Sequence, residues 1–239
     1  MNTFDENTEA VVTARPDARE NDEKLVLSDL MASRAQTYGM LARLFRVEVD
    51  LPTIRELQGM RFPVATGNDL VNLGYRQLYD YLKGAWEDSV TELAIDYVRC
   101  FIGHGVNGYS AAYPYESVYT SERRLMMQEA RAEVLATFRA NNLKRGHWNE
   151  SEDHIAMELE FMQRMALRTQ EALCKGNEDE AISNLQTQLD FANDHLMNWL
   201  PMLVSDMQQF SRTSFYKGLG NLTLGFVQED KELIEEMLP

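Results

Sequence analysis

The groups with most chemistry to offer are four histidines (His104, His147, His154 and His195), two cysteines (Cys100 and Cys174) and a surplus of carboxylates. No histidine has a Glu three residues before it, so the Glu-x-x-His pairs of di-iron helical bundles are absent. His154 and Glu158 stand four apart, which puts them on one helix face and offers a metal two ligands. No other histidine has a carboxylate four residues away to supply a second such pair, and a capped helix start explains the spacing more simply. The cysteines are far apart with no CxxC, which argues against a disulfide scaffold or a cysteine zinc site and points to a reducing compartment. There is no GxxxxGK(S/T) phosphate loop, no GxGxxG after a strand and no GxSxG around Ser117, so no enzyme activity is expected.

Three clusters carry more information. Tyr97-Val98-Arg99-Cys100-Phe101-Ile102-Gly103 ends an apolar helical stripe at a glycine, where large side chains line either the core or a groove. Tyr113-Pro114-Tyr115-Glu116-Ser117-Val118-Tyr119 sets three tyrosines and an acid beside a rigid proline. Such polar-tipped rings suit peptide recognition, although a core staple at a helix start looks similar. Glu150-Ser151-Glu152-Asp153-His154 opens a long helix, where acids complement the positive end of the dipole. Capping does not require the imidazole beside Asp153 or Trp148 upstream; an acid-imidazole pair at a helix mouth can hold a guanidinium or a backbone amide.

The elements that must position these clusters read as helices throughout. The 239 residues hold 23 Lys plus Arg against 38 Asp plus Glu, a net charge of −15 that repels nucleic acid and anionic lipid and favours basic partners. Residues 1 to 23 hold hardly any large apolar side chains and read as a disordered acidic arm, without the apolar stretch of a secretory signal; no run is long enough to span a membrane. From Lys24 to 239 we expect one domain. Apolar spacing predicts helices from Lys24 to Phe45, from Pro52 to Gly59, from Asn68 or Asp69 to Gly84 and over 87–102. A glycine-rich loop over 103–113 follows, then helices from Ser117 or Ser121 to Asn141, from Glu152 to Cys174, over 178–199 and over 202–210. Pro201 marks a break or kink; the last helices are 215–226, interrupted by glycines, and an acidic one over 229–238. No period-two alternation occurs, so the fold class is all-α, a bundle of roughly eight to ten helices.

In order and spacing the three clusters resemble the TorD/DmsD family of redox-enzyme maturation chaperones. That family has LF(I/V)G at a helix end, a Pro-x-(Glu/Gly)-Ser-x-Tyr loop and Glu-Pro-x-Asp-His opening a long helix. Cys100-Phe101-Ile102-Gly103, Pro114-Tyr115-Glu116-Ser117-Val118-Tyr119 and Glu150-Ser151-Glu152-Asp153-His154 stand here. Asp194-His195-Leu196 with Trp199, and Phe215-Tyr216-Lys217-Gly218-Leu219 with Gly225-Phe226, are also similar to family segments. Cys100 replaces the leucine and Ser151 the proline; serine can still cap, so the site is expected to persist.

The resemblance implies a TorD-like fold and a cytoplasmic chaperone. Its partners would be the twin-arginine leader and the apo catalytic subunit of a molybdenum-dependent oxidoreductase, whose export it delays while the molybdopterin cofactor is inserted. Tyr97, Phe101, Ile102, Tyr113, Pro114, Ser117 and Tyr119 would form the client-binding groove, while Glu116, Asp153 and His154 meet the basic part. No cofactor of its own is expected, since nothing here cradles the phosphates of a guanine nucleotide or of molybdopterin. Both a monomer and a domain-swapped dimer are compatible, with 103–113 and 142–151 as hinges. The alternatives are a metal-binding or enzymatic bundle using His154, Glu158 and His195, and an acidic adaptor docking through the 229–238 helix.

Overall fold

The computed structural model describes residues 16–62, 65–103, 110–144, 146 and 148–239, with side chains from Lys24 onward. His104, His147 and most of the glycine-rich loop lie outside the described residues, as does the expected acidic arm up to residue 15.

Helix α1 runs over Pro16–Arg46, starting inside the stretch that composition assigns to the arm. Proline suits a first helical position because its fixed φ is already helical and its missing N–H would go unused there. α2 (Leu51–Gly59) is capped by Asp50, whose carboxylate accepts the Thr53 N–H at 2.9 Å. α3 (Asp69–Leu82) is capped by Asn68. α4 (Glu87–Tyr97) runs on through a wide π turn, Val98–Ile102, and stops at Gly103, whose φ of 74° only glycine adopts readily. α5 (Glu116–Thr120), α6 (Glu129–Ala140), α7 (Ile155–Cys174), α8 (Glu178–Phe191), α9 (Met197–Phe210) and α10 (Ser214–Met237) complete the chain. Among the described residues there is no strand, only an isolated bridge between Tyr115 and His154. The all-α bundle expected from periodicity is what forms.

Three local expectations are corrected. The helix expected from Ser117 or Ser121 to Asn141 is two pieces, because Arg124 (φ 50°) and Met127 (φ 62°) turn the chain between α5 and α6. The glycines of residues 215–226 interrupt nothing: α10 is continuous, Gly218 and Gly225 admit α3, and Gly220 faces α9. A Cβ on Gly218 would stand 2.9 Å from the Gly74 carbonyl, and one on Gly74 would stand 2.5 Å from the Leu222 nitrogen, so the two backbones meet where side chains are missing. Pro201 breaks nothing either. It lies inside α9, and a second π turn, Ala192–Leu196, lies directly upstream and joins α8 to α9.

Helix α1 packs antiparallel on α7: Arg46 reaches Glu160 at 3.4 Å at one end, and Ser28 Oγ lies 3.4 Å from Cys174 Sγ at the other. One apolar core containing Tyr38, Phe45, Trp199 and Tyr216 extends from α1 to α10. Beside it, Arg34 of α1 donates to both carboxylate oxygens of Asp230 on α10 (2.5 and 2.8 Å), and Tyr38 adds a third bond at 2.6 Å, all out of solvent. Ile234 of the expected docking helix packs on Met31 and Leu185, so the inner face of residues 229–238 belongs to the bundle.

Candidate functional site

Two segments distant in sequence are clamped together at the start of α7. Glu116 N donates to Asp153 O, and Ile155 N to Pro114 O, each at 2.9 Å. One Asp153 carboxylate oxygen accepts from Ser117 N at 3.0 Å and from Ser117 Oγ; the other accepts from Ser151 Oγ. Asp153 and Ser117 are fully buried, so these bonds form with no competing water. The residue replacing the family's proline thus holds the aspartate, and the helix cap is His154, not Ser151.

The His154 Nδ1 accepts the Ala156 N–H at 3.0 Å, which fixes the neutral ring with its proton on Nε2. Burial, then the Arg46 charge, push its pKa down to about 3, so it does not act as a cation. Tyr115 and Trp148 meet the ring edge-on at 5.0 and 4.8 Å, and the Arg46 guanidinium lies 4.7 Å from the Trp148 ring centre. Tyr115 also donates its hydroxyl to Glu150 at 2.6 Å.

Behind this clamp lies a second group of buried acids. Glu116 Oε2 is 3.0 Å from His195 Nδ1, with both side chains buried. Glu158 is fully buried and accepts the Trp199 indole N–H at 3.1 Å. Burial, then the neighbouring Glu116 charge, hold its carboxyl well above the usual carboxylate range, with Asp153 adding to the rise and the indole bond opposing it. Glu158 therefore faces Trp199 and the interior rather than a metal with His154. Among the described residues no three of His, Cys, Asp and Glu are grouped to hold a metal ion.

From Glu116 a cavity of about 240 Å³ opens between α5, α6 and the π turn before α9. Glu116 forms its buried end, and the exposed Glu129, Glu133 and Asp194 stand around it with Ser121 and Asn198; no basic residue lines it. Four carboxylates facing one cavity, part of it low in dielectric, focus a negative potential that suits a guanidinium.

The other expected residues are divided between surface and core. Ile102 is 59% exposed, while Tyr97 and Tyr113 are half-buried; Tyr97 donates its hydroxyl to Phe45 O at 3.1 Å. Phe101 is core, edge-on to Phe45, Tyr97 and Tyr216, and Pro114 is buried. Tyr119 is half-buried and donates to Asp206 at 3.0 Å. Glu129, Glu133 and Asp194 escaped the sequence reading as site residues. Their signal is the like-charged i, i+4 pair Glu129 and Glu133, which weakens a helix slightly and is unneeded for solubility in so acidic a chain.

A family model described as nitrate reductase delta subunit matches residues 68–205, which take in α3 to α8 and most of α9. The chaperone protein TorD of Vibrio cholerae El Tor Inaba N16961 is 30% identical over 152 residues, covering 63% of this chain and 66% of the relative. TorD of Photobacterium profundum is 31% identical over 145 residues, 60% of this chain and 64% of the relative. TorD of Actinobacillus pleuropneumoniae serotype 3 is 29% identical over 212 residues, 85% and 98% of the two chains. In the first two, the match spans just under two thirds of the relative's length.

Proposed function

Because this chain belongs to the nitrate reductase delta subunit family and its curated relatives are TorD chaperones, we propose that it is a chaperone dedicated to one redox-enzyme system. Its clients are the twin-arginine leader and the apo catalytic subunit of a molybdenum-dependent oxidoreductase. It holds them in the cytoplasm, delaying export until the molybdopterin cofactor is inserted. No described helix is long and apolar enough to cross a membrane.

The observation that carries leader recognition is the acid-lined cavity ending at Glu116. Arginine pairs with carboxylates through two parallel hydrogen bonds, and adjacent arginines need more than one such acid. Of the motif residues, Ile102, Tyr97 and Tyr113 keep exposed surface that the leader's apolar stretch would use. Pro114, Ser117 and Asp153 form the clamp that holds Glu116 in place, His154 caps α7 beside it, Phe101 packs in the core, and Tyr119 braces α5 against α9.

Calorimetric titration with a twin-arginine leader peptide tests this. A micromolar Kd, about −8 kcal/mol, is expected, weakened by added salt. The exposed double variant Glu129→Gln, Glu133→Gln should bind at least tenfold more weakly with an unchanged Tm. A leader that does not bind, or binds both proteins equally, overturns the assignment.

A further inference from the structure

A second cavity, of about 510 Å³, has the opposite charge. The chain carries 15 more acids than bases, yet Arg46 at the end of α1, Lys144 in the α6–α7 link, and Arg164 and Arg168 on α7 converge there. It lies at the C-terminal end of α6, where Phe138 joins Phe161 and Trp148 in an aromatic floor. The acid-lined cavity lies at the other end of the same helix.

The two acids among the lining residues do not neutralise this cluster. Glu171 is held by Lys175, outside the cavity, at 2.6 Å. Glu160 is shared between Arg46 at 3.4 Å and Arg164 at 3.9 Å, both long for a charge-assisted bond. Arg168 is steadied by donating to the Asn141 carbonyl at 2.7 Å. Three guanidiniums bring roughly fifteen N–H donors, far more than these acceptors use. The Arg46 guanidinium over Trp148 shows how a charged group and a flat ring are placed together there.

From this geometry we infer that the cavity is a binding site for a small planar aromatic anion, an aryl or heteroaryl phosphate or carboxylate. Its ring would lie against the half-buried Trp148 and Leu143, with its anionic group between Arg46, Arg164 and Arg168. The volume falls within the roughly 300–1,000 Å³ of small-molecule sites, and an apolar floor with a few convergent polar groups is their usual composition. The site stands apart from leader recognition, since the acid-lined cavity attracts cations and repels this ligand.

The test uses the full chain and five probes: 1-naphthyl phosphate, 2-naphthoate, inorganic phosphate, 1-naphthol and an acidic peptide with one phenylalanine. Calorimetry gives affinities, and quenching of Trp148 emission, absent in Trp148→Phe, gives location. 1-Naphthyl phosphate or 2-naphthoate should bind saturably below millimolar, at least tenfold tighter than inorganic phosphate or 1-naphthol. Arg164→Gln should weaken the better ligand at least fivefold and Arg164→Glu further, with Tm unchanged, because this side chain is 57% exposed. Three results overturn the inference: no saturable binding by either aromatic anion, equal binding by the Arg164 variants, or tighter binding of the acidic peptide.

Discussion

Replacing Asp153 with alanine separates a structural role from a ligand-contacting one. The carboxylate serves three donors in a fully buried place: Ser117 N at 3.0 Å, Ser117 Oγ and Ser151 Oγ. Alanine orphans the backbone N–H, which cannot turn elsewhere, at about 1–3 kcal/mol, and leaves two hydroxyls to find weaker partners at about 1 kcal/mol each. The expected loss is about 3–5 kcal/mol, a large part of the ~5–15 kcal/mol that holds a native protein together. At roughly 2–4 °C per kcal/mol for a chain of this size, Tm should fall by roughly 6–20 °C.

In the Asp153→Asn variant the side-chain oxygen can stay on Ser117 while the new amide donates to Ser151, whose hydroxyl can turn to accept. That change should cost only about 1 kcal/mol. Urea unfolding followed by far-ultraviolet circular dichroism measures both variants. The reasoning is refuted if alanine lies within about 1 kcal/mol of the parent, or if asparagine damages as much as alanine. An Asp153→Ala protein of normal stability that no longer binds leader would make Asp153 a contact residue instead.

Glu158 gives a pH prediction with a definite sign. Its folded pKa is raised above the ordinary 4.5, so the folded state holds a proton that the unfolded state releases, and stability falls as pH climbs from 4.5 through the raised value. Glu158→Gln should flatten that slope and exceed the parent's stability at its alkaline end; parallel urea curves for the two proteins across that window would contradict it. The α3–α10 contact gives a steric one. Gly74→Ala sets a Cβ 2.5 Å from the Leu222 backbone and should cost about 1–3 kcal/mol, whereas Gly59→Ala meets nothing within 4 Å and should be neutral or gain up to about 1 kcal/mol. Equal Tm values for these two variants would show that the close approach is not required.

The bundle was legible because its helices carry long apolar stripes, and the 150–154 segment stood out because capping leaves the Asp153-His154 pair unexplained. What those residues do was not legible. The partner of Asp153 lies 36 positions away, and nothing local shows that its carboxylate faces Ser117 rather than solvent. The break after Thr120 was hidden for a similar reason: Leu125, Met126 and Met127 extend an apolar pattern, but Gln128 N donates to Ser117 Oγ at 3.1 Å and the chain turns to meet it. Gly218 and Gly225 look like helix breakers to any local rule, because their purpose is visible only from α3.

Where the interior fails to satisfy its own acids is as informative as where it succeeds. Asp96 accepts from Arg212 N and from Thr213 N and Oγ1 at the start of α10. Asp230 has Arg34 and Tyr38, and Glu152 has Arg131 at 2.7 Å. Glu158 breaks this pattern: its Oε1 has no hydrogen-bond partner, and Ser121 Oγ, on the lining of the acid cavity, has none either. A buried polar atom without a partner costs about 1–3 kcal/mol and is uncommon in a native structure. Glu158 lies behind Glu116, the buried end of that cavity, so spare hydrogen-bonding capacity stands directly beside it. A cation arriving there meets in Glu116 a carboxylate whose desolvation the fold has already met, with three exposed acids around it, which is why a basic segment is a better fit for this cavity than for the many exposed carboxylates elsewhere on the surface.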